Sequence, residues 1–144
     1  MQVNWKGVFP ALTTKFKQDG SLDLDAFGHN LSYQLAAGVN GIILGGTLGE
    51  ASVLDDHEKE TLVKYTLKEC NGSIPVILNI AEGSTLEAVR KADHARAWGA
   101  NGLMVLPPMR YKADDNELFQ YFSAVATATD LPIMIYNNPI DYKN

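Results

Sequence analysis

The chain has 144 residues, of which 46% are hydrophobic, 20% charged and 9% aromatic, fractions that exclude disorder, collagen-like repeats and coiled coil. No run of about 18 apolar residues is present, so no membrane span is expected. The formal net charge of −5, with acidic and basic residues interspersed, argues against a nucleic-acid partner, which needs a basic face.

Met1 to Lys6 lacks a basic region followed by an apolar stretch, so no secretory leader is expected and the cytoplasm is the default. Val8-Phe9-Pro10-Ala11-Leu12 reads as a first strand, closed by Thr13-Thr14, with Asp19-Gly20 as a turn. A helix follows from about Asp23, with Leu24, Phe27, Leu31 and Leu35 on one stripe, and Gly38 ends it. Ile42-Ile43-Leu44 is a β-branched run leading into Gly45-Gly46. Asp55 and Glu58 have the spacing of a capping box and open a helix through Leu62, Val63 and Leu67 to Gly72.

Val76-Ile77-Leu78 is the third strand, and Ser84 with Glu87 forms a second capping box. The helix it opens carries Val89, Ala92 and Trp98 and stops at Gly99. Leu103 to Leu106, a helix from about Asp115 to Thr129, and Ile133 to Tyr136 complete the series. The strands are continuous apolar runs, as parallel strands covered on both faces require.

The chain also repeats itself. Gly38-Val39-Asn40-Gly41-Ile42-Ile43-Leu44 recurs as Gly99-Ala100-Asn101-Gly102-Leu103-Met104-Val105, and Ile74-Pro75-Val76-Ile77-Leu78-Asn79 recurs as Leu131-Pro132-Ile133-Met134-Ile135-Tyr136. A period of about 60 residues, two strands and two helices, favours a barrel of β/α units over a doubly wound sheet. A closed (β/α)8 barrel needs roughly 250 residues. The expectation is one domain over residues 1–144 that forms the N-terminal half of a barrel, with five parallel strands and four helices.

In such a barrel the active site lies at the carboxyl ends of the strands. Those ends offer Thr13 and Thr14, the turn from Gly45 to Glu50, Asn79, Pro107-Pro108 and Tyr136-Asn137. Glycines let backbone approach a ligand, and successive N–H groups can cradle a carboxylate or phosphate, with the Thr47 hydroxyl as a further donor. A tight turn with no ligand explains the same residues equally well. Tyr136 suits proton relay or half-buried packing. Cys70 lies on a core stripe, and His29, His57 and His94 lack ligand spacing, so no metal is expected.

Three segments resemble the dihydrodipicolinate synthase / N-acetylneuraminate lyase family. Gly7 to Thr14 is similar to its first strand, Gly46-Thr47-Leu48-Gly49-Glu50 to its G-[TS]-T-G-E motif, and Tyr136-Asn137-Asn138-Pro139 to its Y-N-x-P motif. The resemblance implies an aldolase-type lyase without cofactor. It binds pyruvate or another 2-keto acid as a Schiff base on a strand-six lysine, with an aldehyde as the second substrate, and it forms homo-oligomers. By position, Tyr136 would shuttle protons, Thr47 would bond the substrate or that tyrosine, and Gly46, Leu48 and Gly49 would form the carboxylate cradle.

Leu48 departs from the motif by removing a hydroxyl. Met109 stands where the synthases carry a relay tyrosine, and Asp141 stands about where they carry an aldehyde-binding arginine. These departures point to another 2-keto acid reaction, with Arg110 or Tyr111 as substrate-facing candidates. The implied lysine lies beyond Asn144, and neither Lys112 nor Lys143 sits on an apolar strand that would lower an amine's pKa. The alternative reading is therefore a half-barrel that binds or assembles without catalysis. A phosphate site at the glycine turn is weaker, because in these barrels that site follows strands seven and eight.

Overall fold

The structure, a computed structural model, describes residues 2–108 and 112–138. Met109, Arg110, Tyr111, Pro139, Asp141 and Lys143 lie outside the described residues. The elements alternate as α1 (Leu24–Ala36), β1 (Ile42–Leu44), α2 (Asp56–Cys70), β2 (Val76–Ile80), α3 (Thr85–Trp98), β3 (Gly102–Val105), α4 (Asp115–Ala128) and β4 (Ile133–Ile135). The strands form one parallel sheet in the order β1-β2-β3-β4.

The expected first strand is present in position but not as a ladder. Ala11 makes a single parallel bridge to Ile43. The Ile43 N–H donates to the Pro10 carbonyl at 3.0 Å, and the Leu12 N–H donates to the Ile43 carbonyl at 2.9 Å. Continued regularly, this register needs a bond from the nitrogen of residue 10 to the Gly41 carbonyl. Pro10 has no proton to give, so the ladder breaks there. The segment still lies beside β1, and the sheet runs in the order expected.

The helix starts are held by local chemistry. Asp23 caps α1, and Asp55 and Glu58 form the full capping box of α2. Only half of the second expected box forms: Ser84 accepts from the Glu87 N–H at 3.3 Å, while the Glu87 carboxylate meets Arg90 at 2.8 Å. A full box that the sequence reading did not identify, Asp114 with Glu117, opens α4.

Side chains alternate across the strands and so build two layers. Ile42, Leu44, Val76, Leu78, Ile80, Leu103 and Val105 pack in one core with Phe27, Leu31, Val63, Ala92 and Tyr121 from the helices. Ile43, Ile77, Met104 and Leu106 point to the opposite face, where Val3, Phe9 and Met134 join them. All four helices therefore cover one face, and the other becomes an apolar inner wall.

The repeat has a physical cause. Asn40 donates its N–H to the Val8 carbonyl at 2.8 Å and accepts the Val8 N–H on Oδ1 at 2.8 Å. Asn101 does the same to Val76, at 2.8 and 2.9 Å. Each asparagine thus clips its own strand to the start of the preceding one, at the end of the sheet away from the Gly45 turn. Val76 is fully buried, so Asn101→Ala leaves its N–H without a partner. A loss of about 1–3 kcal/mol is expected for that change in denaturant unfolding. Asn40→Ala, at an exposed site, should cost less, and equal losses would show that burial does not set the cost.

Candidate functional site

The turn after β1 is shaped by glycine. Gly45 adopts φ +66, a left-handed conformation that glycine takes without penalty. Gly46 is extended, and Thr47 to Gly49 form one 3-10 turn. The Gly49 N–H donates to the Gly46 carbonyl at 2.9 Å, and the Glu50 N–H donates to the Thr47 carbonyl at 3.1 Å. A Cβ on Gly49 would stand 2.9 Å from the Leu12 carbonyl oxygen, so only glycine fits against that backbone.

Both ends of the turn are tied to distant strands. The Asn79 amide on β2 donates to the Gly45 carbonyl at 2.7 Å, and the Thr14 hydroxyl donates to the Gly49 carbonyl at 2.6 Å. Thr13 faces elsewhere, its hydroxyl accepting from Asn30 of α1 at 3.4 Å. Thr47 and Leu48 remain exposed at the tip. Neither of their N–H groups donates to a backbone carbonyl among the described residues.

Tyr136 follows β4, its N–H donating to the Val105 carbonyl at 3.0 Å. That bond extends the β3–β4 pairing by one residue and sends the phenol to the inner face. Gly46, Thr47, Leu48 and Tyr136 then line one cleft of about 650 Å³, floored by Ile43, Met104 and Met134. Gly49 closes the turn behind it. The volume suits a small ligand. None of the described residues lining this cleft is charged, so a bound anion would be held by neutral donors. Lys59 and Glu82 line an adjoining cavity of about 320 Å³ that shares Thr47 and Asn79 with the cleft.

Other candidates fall away from the cleft. Lys112 lines a separate cavity of about 690 Å³ beside α4. Tyr121 borders that cavity too; burial first, and the Glu82 carboxylate second, push its phenol up to about 12. Cys70 is buried, and burial and then Glu69 push its thiol up, which leaves it an inert core group. Sequence reasoning noted Asn79 as a strand end without giving it a role. The available signal was a carboxamide inside the apolar run Val76 to Ile80.

Comparison with known proteins places this geometry. The Dihydrodipicolinate synthetase family profile matches residues 4–141. A 4-hydroxy-tetrahydrodipicolinate synthase from Gluconacetobacter diazotrophicus is 42% identical over 135 residues, 94% of this chain and 46% of that protein. The structure of dihydrodipicolinate synthase from Thermotoga maritima superposes with a TM-score of 0.92 at 37% identity, covering 95% of this chain and 46% of the other. A prophage protein of the dihydrodipicolinic acid synthase family from E. coli K12, solved in complex with pyruvate, gives 0.89 at 29% identity, over 96% of this chain and 47% of the other. The chain spans about half the length of the curated relatives it matches, and its sheet and helices are half of their TIM barrel.

Proposed function

The chain belongs to the dihydrodipicolinate synthetase family, and on that premise we propose that it is the N-terminal half of an aldolase-type lyase that binds pyruvate or a related 2-keto acid as a Schiff base. The observation that carries this reading is the meeting of Tyr136 and the Gly46–Gly49 turn on one apolar, uncharged cleft. The N–H groups of Leu48 and Gly49 hold the keto-acid carboxylate, with Gly46 giving the approach and Thr47 bonding the substrate or the Tyr136 phenol. Gly49's N–H already bonds the Gly46 carbonyl, so Leu48 carries more of this load than the motif alone implies.

The reaction needs an amine. It attacks the keto carbon, the oxygen leaves as water after two proton transfers, and the resulting iminium draws electrons from C3. The enamine so formed adds to an aldehyde, or the reverse step cleaves a C–C bond; loss of a hydroxyl from a sugar acid uses the same sink. Tyr136 moves the protons. The amine belongs to the sixth strand of the family's barrel, outside these 144 residues. Met109 and Asp141, in place of the relay tyrosine and the arginine of the synthases, favour a 2-keto acid reaction other than synthesis of the dihydrodipicolinate precursor. A cytoplasmic homo-oligomer is the setting this reading implies.

The second reading is a module that binds or assembles without catalysis, favoured by the lack of a lysine among the described residues lining the cleft. Pyruvate with borohydride separates the two. The 144-residue chain should keep its mass, and a chain extended through the sixth to eighth strands should gain one reduced adduct. An extended chain that stays unmodified sinks the Schiff-base reading and leaves the binding module. An adduct on Lys112 or Lys143 of the short chain would show that the nucleophile was wrongly placed.

A further inference from the structure

We propose that Asn79 is a positioning residue for the ligand cradle: by holding the Gly45 carbonyl it keeps the Leu48 N–H group available to an incoming carboxylate. This rests on the reading of the Gly46–Gly49 turn as a carboxylate cradle.

The argument begins with what the turn could otherwise do. Gly49 bonds back to Gly46 and Glu50 back to Thr47, each three residues apart. The next bond in that series would run from the Leu48 N–H to the Gly45 carbonyl. It does not form: Gly46 is extended, and the Gly45 carbonyl instead accepts from the Asn79 amide at 2.7 Å. Two adjacent glycines leave the Gly45–Gly46 peptide unusually free to rotate. A buried donor fixed on β2 removes that freedom, since Asn79 is only 7% exposed.

Packing alone does not explain an asparagine here. Its inner-face neighbours Ile43, Ile77, Met104 and Leu106 are apolar. Its own Oδ1 is buried with no hydrogen-bond partner among the described residues, a cost that a leucine of similar size would avoid. The residue also lines the cleft beside Gly46, Thr47 and Leu48. A group that weakens the core while holding the turn of a ligand cleft is placed for the ligand.

The test is a titration of the 144-residue chain with pyruvate, followed by amide NMR, in the wild type and in Asn79→Leu. The wild type should show saturable shifts at the Leu48 and Gly49 amides, larger at Leu48. Asn79→Leu should stay folded and bind pyruvate about tenfold or more weakly. A melting temperature that falls while affinity is unchanged would make Asn79 a structural residue and overturn the proposal. A wild type whose turn amides ignore pyruvate would overturn the cradle itself, and this role with it. Should the leucine variant not fold, the wild type still decides. Asn79 side-chain amide protons that exchange with water as fast as those of exposed Asn116 overturn the proposal, and strong protection supports it.

Discussion

Replacing Tyr136 by Phe in the chain extended over the remaining strands is expected to slow both borohydride trapping of pyruvate and turnover, by a factor of order 10²–10⁴. The size follows from the number of proton transfers asked of one phenol. Forming the imine needs a proton delivered to the departing oxygen, and the C3 chemistry needs protons moved again. Among the described residues that line the cleft, floored by Ile43, Met104 and Met134, no other carries an acidic group. Folding should be unaffected, because the backbone bond from Tyr136 to Val105 survives and the side chain is 43% exposed. An unchanged rate in the Phe form would reduce Tyr136 to packing. Loss of trapping with a lowered melting temperature would point to the fold instead, so both quantities are to be measured together.

How far the sequence carries this site depends on the range of each interaction. Helix starts were legible where the cap lies three residues from its partner, as at Asp55 and Glu58. The same rule overreached at Ser84, since Arg90 competes for the Glu87 carboxylate, while Asp114 and Glu117 obey it in full. Continuous apolar runs located β1 to β4; β1 to β3 are buried throughout, whereas β4, at the edge of the sheet, keeps the same apolar run while partly exposed. The first run failed as a ladder through Pro10, whose missing N–H was visible but whose register against Gly41 was not. Gly46, Thr47, Leu48 and Tyr136 were legible as strand-end residues from the barrel pattern, and their separate roles only through the family resemblance. Nothing local links residues 46 and 136, and only the sheet, with β2 and β3 between β1 and β4, brings them to one cleft. Least legible were the ties of the turn: Asn79 to Gly45 spans 34 residues and Thr14 to Gly49 spans 35. No periodicity or motif encodes such a pair. What the sequence did show was a polar residue inside an apolar strand, which is a reason to ask where its hydrogen bonds go.

The isolated 144-residue chain is expected to self-associate. β4 ends the sheet, and no described residue pairs with its outer edge. Ile135 on that strand is 56% exposed, and Phe119 of the adjacent α4 is 67% exposed. Together with Val105, Phe122 and Ile133 they line a mainly apolar groove of about 380 Å³. At the opposite side of the sheet, the Val8 to Leu12 segment is tied to β1 by few bonds, and Val8 is 63% exposed. Unpaired backbone at both sides and apolar side chains beside one of them recruit further chains. A parallel edge can accept the free edge of a second copy, so dimers or larger species should grow with concentration in light scattering. Ile135→Lys places a charge on the β4 edge without touching the inner wall, and it should move the population towards monomer. A wild-type chain that stays monomeric at high concentration would overturn the prediction. If the wild type associates and Ile135→Lys associates equally, contact runs through the Val8 side, where Pro10 already interrupts the ladder.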